Sequence, residues 1–466
     1  VAGAPRCRGA AGHRHAQRLT RRTLPETIML AYYFNLAVRS FKRNKVLTAL
    51  MVLAVALGIG ASMTTLTVFH VLSGDPIPTK SHRLFYVQMD PLPMAGYSPG
   101  GDPAPQLTRF DAEKLLREKR ADRQAMMSAG SAAVEPDTPG LTPFILHARY
   151  TSADFFPMFE APFVHGQAWR QADDEARARV AVISSELSQK LFGQADPTGR
   201  TLQLGKTAFR VVGVLDQWNP NPRFYDLTNG NYNGEPEDVY VPFSTARDLR
   251  WGNSGNMNCW GTGDEKDPDN SFGLNQPCIW IQYWAQLDSA QKVSDYRAYL
   301  SNYSDQQRAA GRFQRPSNVR LSDVMTWLDF NHVVPSDVRL QAWLALGFLG
   351  VCLLNTVGLL LAKFLRRGGE IGVRRALGAS RKDIFLQCLV EAGTVGLVGG
   401  VLGLGLALLG LWGVRHQPTD YAALAHLDAP MLLATFVLAL VSSLLAGLVP
   451  AWRAMQVTPA IQLKSQ

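Results

Sequence analysis

Four stretches of the chain, at about residues 46–72, 340–364, 388–414 and 430–452, are almost uninterruptedly apolar. Each reaches or exceeds the roughly 20 residues a helix needs to cross the hydrocarbon of a bilayer. A helix that is apolar all round does not suit the surface of a soluble domain. The first stretch, VLTALMVLAVALGIGASMTTLTVFHVL, holds no Asp, Glu, Lys or Arg. The pattern therefore predicts four transmembrane helices. Just ahead of them, Leu30, Tyr33, Phe34, Ala37, Val38 and Phe41 recur at helical spacing, with Arg39, Lys42 and Arg43 off that face. This predicts an amphipathic helix over 29–45 lying in the membrane interface.

Between the first two apolar stretches the pattern changes. Residues 106–120 read as an amphipathic helix, ARVAVIS as a strand, and SELSQKLFG as a helix ending at Gly193. Residues 199–215 alternate on two arms about Gly205-Lys206, the mark of a hairpin. DVYVPFS and CIWIQYWAQL are further strands, a helical stretch follows at about 288–310, and 216–278 reads as a long Gly-, Asn- and Pro-rich excursion. Strands mixed with helices indicate an α+β domain over 73–338. The run from about 311 through 365 is a candidate to supply a long rigid helix joining that domain to the membrane.

Charge orients the spans. Residues 73–338 carry 26 basic and 32 acidic side chains, whereas the rest of the chain carries 21 and 6. Arg39, Lys42, Arg43 and Lys45 precede the first span, Arg453 and Lys464 follow the last, and the connection between spans three and four offers Arg415 against Asp420 and Asp428. Positive charge stays on the cytoplasmic side. Both termini are thus expected inside and 73–338 outside. The net charge of +9 is a topology signal and not a nucleic-acid one. Residues 1–28 are rich in Ala, Arg and His without an apolar run, and read as a disordered leader or upstream extension.

Candidate chemistry adds little in the outer domain. GQADPTGRT (193–201) looks like a phosphate-binding loop, but five residues separate its glycines and Arg200 stands where a Lys belongs. It reads as a turn feeding the hairpin. His82, His147, His165 and His332 are scattered, and Asp173-Asp174-Glu175 and Asp264-Glu265 read as solvated loops. No catalytic residue, metal set or cofactor is expected on this chain. The aromatic stretch from Trp251 to Trp284 reads as core packing. Cys259 and Cys278 fall in the outer domain, where an oxidising compartment favours a disulfide across the excursion. Within the membrane, Asn355 lies inside span two, and Glu391 lies near the cytoplasmic start of span three with Lys363 as its expected partner.

The informative segment is EIGVRRALGASRKDIF, residues 370–385, a short basic loop between spans two and three. Gly372, Gly378 and Ala379 allow close approach and a break, and Ser380 can cap a new helix with Asp383 at its third position. A helix, a corner and a second helix make a docking element, with Glu370, Gly372, Arg374, Arg375, Gly378, Ser380, Arg381 and Lys382 as its candidate coupling residues.

EIGVRRALGASRKDIFLQCLVEAG closely resembles the cytoplasmic segment of the FtsX-like permease domain of ATP-binding-cassette systems of the macrolide-exporter (MacB-like) type. VAVISSELSQKLFGQADPTGRTLQLGKTAFRVVGVL resembles that family's periplasmic core domain, and PAWRAMQVTPAIQLK its ending. Together these cover most of 29–466. The resemblance implies four spans, a large α+β periplasmic domain between the first and second (73–338), and an FtsX-like domain over 339–466. It also implies a permease moved by a cytoplasmic ATPase that binds the ATP, in a homodimer or heterodimer, with a periplasmic adaptor and outer-membrane channel as candidate further partners. Macrolide exporters of this type carry the ATPase ahead of the first span; here no phosphate loop is present, so the ATPase is expected on a separate chain that 370–385 docks on. The implied work is efflux or substrate extrusion. A lipoprotein-release permease, a cell-division regulator of wall hydrolases, and a membrane-anchored receptor or enzyme remain as alternatives.

Overall fold

The computed structural model describes residues 26–136, 140–229, 237–263, 270–417 and 429–457. The expected leader falls almost wholly on residues 1–25, outside the described residues, as do Asp420, Asp428 and Lys464. The chain opens with α1 (Glu26–Arg43) and α2 (Lys45–Ser73). It then runs through β1 (Leu84–Gln88), β2 (Leu107–Thr108), α3 (Arg109–Glu118), β3 (Arg123–Glu135), β4 (Phe144–Thr151) and α4 (Phe155–Met158). Next come β5 (Phe163–Gly166), α5 (Gln171–Glu175), β6 (Val180–Ile183), α6 (Ser185–Phe192), β7 (Thr201–Leu204) and β8 (Thr207–Leu215). After these follow β9 (Val239–Pro242), α7 (Phe243–Asp248), β10 (Asn258–Cys259), β11 (Cys278–Gln286), α8 (Ala290–Ala309), β12 (Arg320–Asp323) and α9 (Val324–Phe330). The last elements are α10 (Ser336–Arg366), α11 (Gly368–Ala376), α12 (Arg381–Arg415) and α13 (Ala429–Met455).

Two compact units result, one of residues 1–63, 345–408 and 428–466, the other of 64–344 with 409–427. In the second, the strands form one mixed sheet of order β12-β1-β11-β3-β4-β9-β6-β8-β5, with β2 and β10 on β11 and β7 bridging β3 and β8. The pairs β4–β9 and β6–β8 are parallel, and the rest are antiparallel. Successive strand residues face opposite sides. Val87 and Tyr283 accordingly join a core with Leu115, Met126 and Leu300, while Tyr86 and Trp284 join a second core with Phe155, Phe159 and Trp327. The sheet is thus buried on both faces, and the α+β domain is of mixed topology.

Local chemistry sets the element ends. Ser184 accepts the Leu187 N–H at the start of α6, and Gly193 (φ +68°) ends it. Leu204 pairs with Thr207 across Gly205 (φ +59°), closing the β7–β8 hairpin. The stretch 193–201 is a turn, with Asp196 capping Thr198. The aromatic stretch is core: Trp280 lies against Phe243 and Phe272, and Trp284 against Tyr86, Phe159 and Phe224.

One expectation fails. No helix runs from 311 to 365. Residues 320–323 pair with β1 (Val87 opposite Leu321), and α9 buries Trp327 flat on Tyr86 at 3.9 Å. Only after Pro335 does α10 begin. Strand pairing and a buried indole outcompete continuation of the helix, and proline marks the new start.

In the other unit, α2, α10, α12 and α13 are long and apolar enough to cross a membrane. Glycines on α12 let two neighbours approach closely. A Cβ on Gly396 would stand 2.0 Å from the Ser443 hydroxyl of α13, and one on Gly399 would stand 2.7 Å from Val55 of α2. Small residues at such crossings are how helices pack where lipid supplies no hydrophobic drive. On α1, Tyr33, Ala37 and Ser40 are buried while Phe34 is exposed. Tyr33 and Ala37 belong to the expected stripe and Ser40 lies beside it; the side chains of Leu30 and Val38 lie outside the described residues.

Candidate functional site

The segment between α10 and α12 folds as a helix, a sharp corner and a helix. Arg367 stands at the N-cap of α11, which ends at Ala376. Gly378 takes φ +102°, a conformation L side chains rarely adopt. Beyond it, Ser380 accepts the Asp383 N–H through its hydroxyl at 3.2 Å, and Asp383 accepts the Ser380 N–H at 2.9 Å. This reciprocal capping box starts α12. Ile371 and Ile384 anchor the corner inward, and Gly372 is buried with them.

What faces outward is mixed. Leu377 is 83% exposed and Val373 51%, with Ala376, Gly378, Ser380, Arg381 and Lys382 exposed around them. The corner thus presents an apolar tip ringed by basic groups.

The remaining candidates do internal work. Arg374 donates to the Gln387 side chain at 2.8 Å. Arg375 donates to the main-chain carbonyl of Val457 at 2.6 Å. Arg374 and Arg375, expected together with Arg381 to meet a partner's groove, bond here within the chain, to α12 and to the main chain just past α13. Arg381 and Lys382 are the exposed cations there.

Behind the corner lies a cluster that sequence spacing does not reveal. Glu391 is buried and accepts from Arg367 at 3.0 Å and from the Ser40 hydroxyl, with Lys363 at 2.7 Å. Arg367 also donates to Glu370 at 3.1 Å, and Glu370 meets Arg43. The Arg43 bond first, with Arg367 second, holds the Glu370 carboxyl below its ordinary range. Of this cluster, only the Glu391–Lys363 pair is suggested by the sequence, because both lie at one end of apolar stretches. Asn355 lies on an exposed face of α10, apart from the cluster.

In the outer unit, Cys259 and Cys278 are joined in a disulfide across the β10–β11 pair. A groove of about 880 Å³ is lined by Leu116, Met126, Trp169, Asp174, Phe243 and Arg247 among others. Asp174 accepts from Trp169 Nε1 and from the Ala153 N–H, both at 2.8 Å. Burial pushes its carboxyl up to about 7. Among the described residues no group of three or more His, Cys, Asp or Glu is placed to hold a metal.

The MacB-like periplasmic core domain model matches residues 48–303, and that of the FtsX-like permease C-terminal region matches residues 343–459. The pyoverdine export ATP-binding/permease protein PvdT of Pseudomonas aeruginosa is 25% identical over 437 residues, covering 91% of this chain and 57% of that protein. PvdT of Pseudomonas syringae pv. syringae is 27% identical over 331 residues, 69% of this chain and 43% of that protein. The macrolide export ATP-binding/permease protein MacB of Rhodospirillum rubrum is 24% identical over 444 residues, 92% of this chain and 60% of that protein. The chain spans about half the length of the curated relatives it matches. The solved periplasmic region of MacB from Actinobacillus actinomycetemcomitans aligns with a TM-score of 0.35 at 13% identity, covering 55% of this chain and 94% of that one.

Proposed function

The chain belongs to the family of the MacB-like periplasmic core domain, here joined to an FtsX-like permease region, and from that premise we propose that it is the membrane permease of an ATP-binding-cassette exporter. ATP is bound and split by a cytoplasmic ATPase outside the described residues. That ATPase docks at the corner formed by Leu377, Gly378, Arg381 and Lys382. The single observation that carries this reading is the outward-facing apolar Leu377 at the end of α11, at a sharp corner turned by Gly378 ahead of the capped start of α12, on a basic loop between two spans.

On this reading both termini and the corner are cytoplasmic, as the charge partition requires. Two permeases act as a dimer. Movement of the ATPase shifts α10 and α12, which continue from the corner and contribute residues to both units, and the outer domain changes shape to expel a substrate. The names of the relatives point to cargo of the pyoverdine or macrolide kind, handed on to an adaptor and outer-membrane channel.

The test is reconstitution with an ATP-binding-cassette ATPase in proteoliposomes. Leu377→Asp is expected to abolish permease-dependent stimulation of ATP hydrolysis and co-purification of the ATPase, with the permease still inserted. Stimulation equal to that of the unsubstituted permease would overturn docking at this corner.

A further inference from the structure

Arg367 occupies the one residue between the last turn of α10 and the first of α11. Its N–H bonds the Phe364 carbonyl at 3.1 Å, and its own carbonyl accepts the Ile371 N–H at 3.1 Å. The side chain of this junction residue reaches three other places. One terminal nitrogen donates to Glu391 of α12 at 3.0 Å and to the Ser40 hydroxyl of α1 at 3.1 Å. The inner nitrogen donates to Glu370 of α11 at 3.1 Å, and Glu370 in turn holds Arg43 of α1.

Glu391 is 2% exposed and Lys363 1%. Lys363 stands 2.7 Å from the carboxylate without the alignment of a hydrogen bond, its nitrogen over the Phe41 ring. Lys363 is therefore a compensating point charge. Arg367 is the directional member, because a guanidinium fork can serve two carboxylates at fixed angles and an ammonium cannot. Removing one partner of a buried charge leaves it uncompensated, so Glu391 holds its partners to it.

We propose that Arg367 is a positioning residue for coupling: it sets the angle between the docking corner and the spans, so that displacement of the corner is delivered to α12 and α1. The proposal rests on the permease reading above. It separates two tasks within one loop. Leu377 and its neighbours grip the ATPase, and Arg367 with Glu370 and Glu391 turns the grip into helix movement.

The experiment compares Arg367→Lys, Glu370→Gln and Leu377→Asp in full permease reconstituted with its ATPase. Two quantities are read, the affinity of the ATPase for the permease and the stimulation of hydrolysis at saturating ATPase. Arg367→Lys keeps the charge and is expected to leave affinity within about threefold while lowering stimulation by about tenfold or more. Glu370→Gln, on an exposed side chain that threatens no fold, is expected to lower stimulation about threefold with affinity unchanged. Leu377→Asp is expected to lose affinity. A merely structural role would lower affinity and stimulation together; that result, or unchanged stimulation in Arg367→Lys and Glu370→Gln, overturns the proposal. If the unsubstituted permease neither binds nor stimulates the ATPase, the functional reading itself falls, and this inference with it.

Discussion

Arg375 gives a single guanidinium nitrogen to the Val457 carbonyl at 2.6 Å and, more weakly, to that of Met455 at 3.4 Å, tying α11 to the C-terminal end of α13 and the residues just past it. Cations near a helix C-terminus satisfy its orphan carbonyls and favour its dipole. Arg375→Ala is therefore expected to destabilise the permease by about 1.5–3 kcal/mol, the range for a hydrogen bond to a charged group. Thermal unfolding in detergent reads this. Arg381→Glu, on an exposed side chain, is expected to leave the melting temperature unchanged and weaken the ATPase complex. The reverse pattern would return Arg375 to the docking surface.

The contrast shows what a sequence can carry. The spans are legible because apolar length alone defines them, and the β7–β8 hairpin and the Ser380 cap because their signals are local. The task of Arg375 is not local: its partner lies 82 residues on, and Ser40 meets Arg367 across 327. Nothing in a basic run distinguishes a guanidinium facing a partner from one bonded to the chain's own carbonyls. The break before α10 hides for the same reason, since Leu321 pairs with Val87 in a strand far upstream. Leu377 is absent from the sequence candidates because nothing local marks an apolar residue before a glycine as exposed; that depends on which side of the corner the core takes.

Arg149 is the most enclosed cation of the outer domain. It is 1% exposed, with Asp226 at 2.6 Å and Glu237 also bonded to it. Removing one member of such a group leaves a buried charge uncompensated, and Arg149→Ala is expected to cost about 3–5 kcal/mol. Burial by itself would raise the Glu237 carboxyl, but Arg149 and Arg223 outweigh it and lower it to about 2. A depressed acid contributes stability above its unfolded value of about 4.3 and loses it as pH falls through the folded value. On this account the contribution persists in the unsubstituted protein to well below pH 4. In Arg149→Ala its loss is expected to move upward in pH, measurable by thermal unfolding from pH 3 to 6.

Asp174 works in the opposite sense. Its carboxyl is pushed up to about 7 by burial, despite the bonds from Ala153 and Trp169, with Asp173 and Asp154 adding to the rise. The folded state thus holds a proton that the unfolded chain releases at about 3.9. The contribution is present below that value and lost as pH rises toward 7. Asp174→Asn is expected to flatten the decline in melting temperature between pH 5 and 8. The Trp169 indole donates to this carboxyl, so the emission difference between the two proteins is expected to titrate near pH 7. A decline of equal slope in both would refute the assignment.

The disulfide joins exposed Cys259 of β10 to buried Cys278, the first residue of β11, across 19 positions. It closes a stretch that neither strand partner secures alone, since β10 is only two residues long. Cross-linking a loop of this size removes about 3 kcal/mol of freedom from the unfolded chain. Cys259→Ser with Cys278→Ala is expected to lower the melting temperature by several degrees, with the loss reproduced by a reductant on the unsubstituted protein only. The bond also reports sidedness, because disulfides persist outside the cytoplasm and not within it. Non-reduced peptides from membrane-extracted protein should contain the linked pair, and two freely alkylated thiols would refute it. In intact spheroplasts an impermeant maleimide should then modify Ser98→Cys, on the same unit as the disulfide, and spare Arg381→Cys at the corner. Labelling of Arg381→Cys but not Ser98→Cys would invert the topology, and docking of a cytoplasmic ATPase at Leu377 would fall with it.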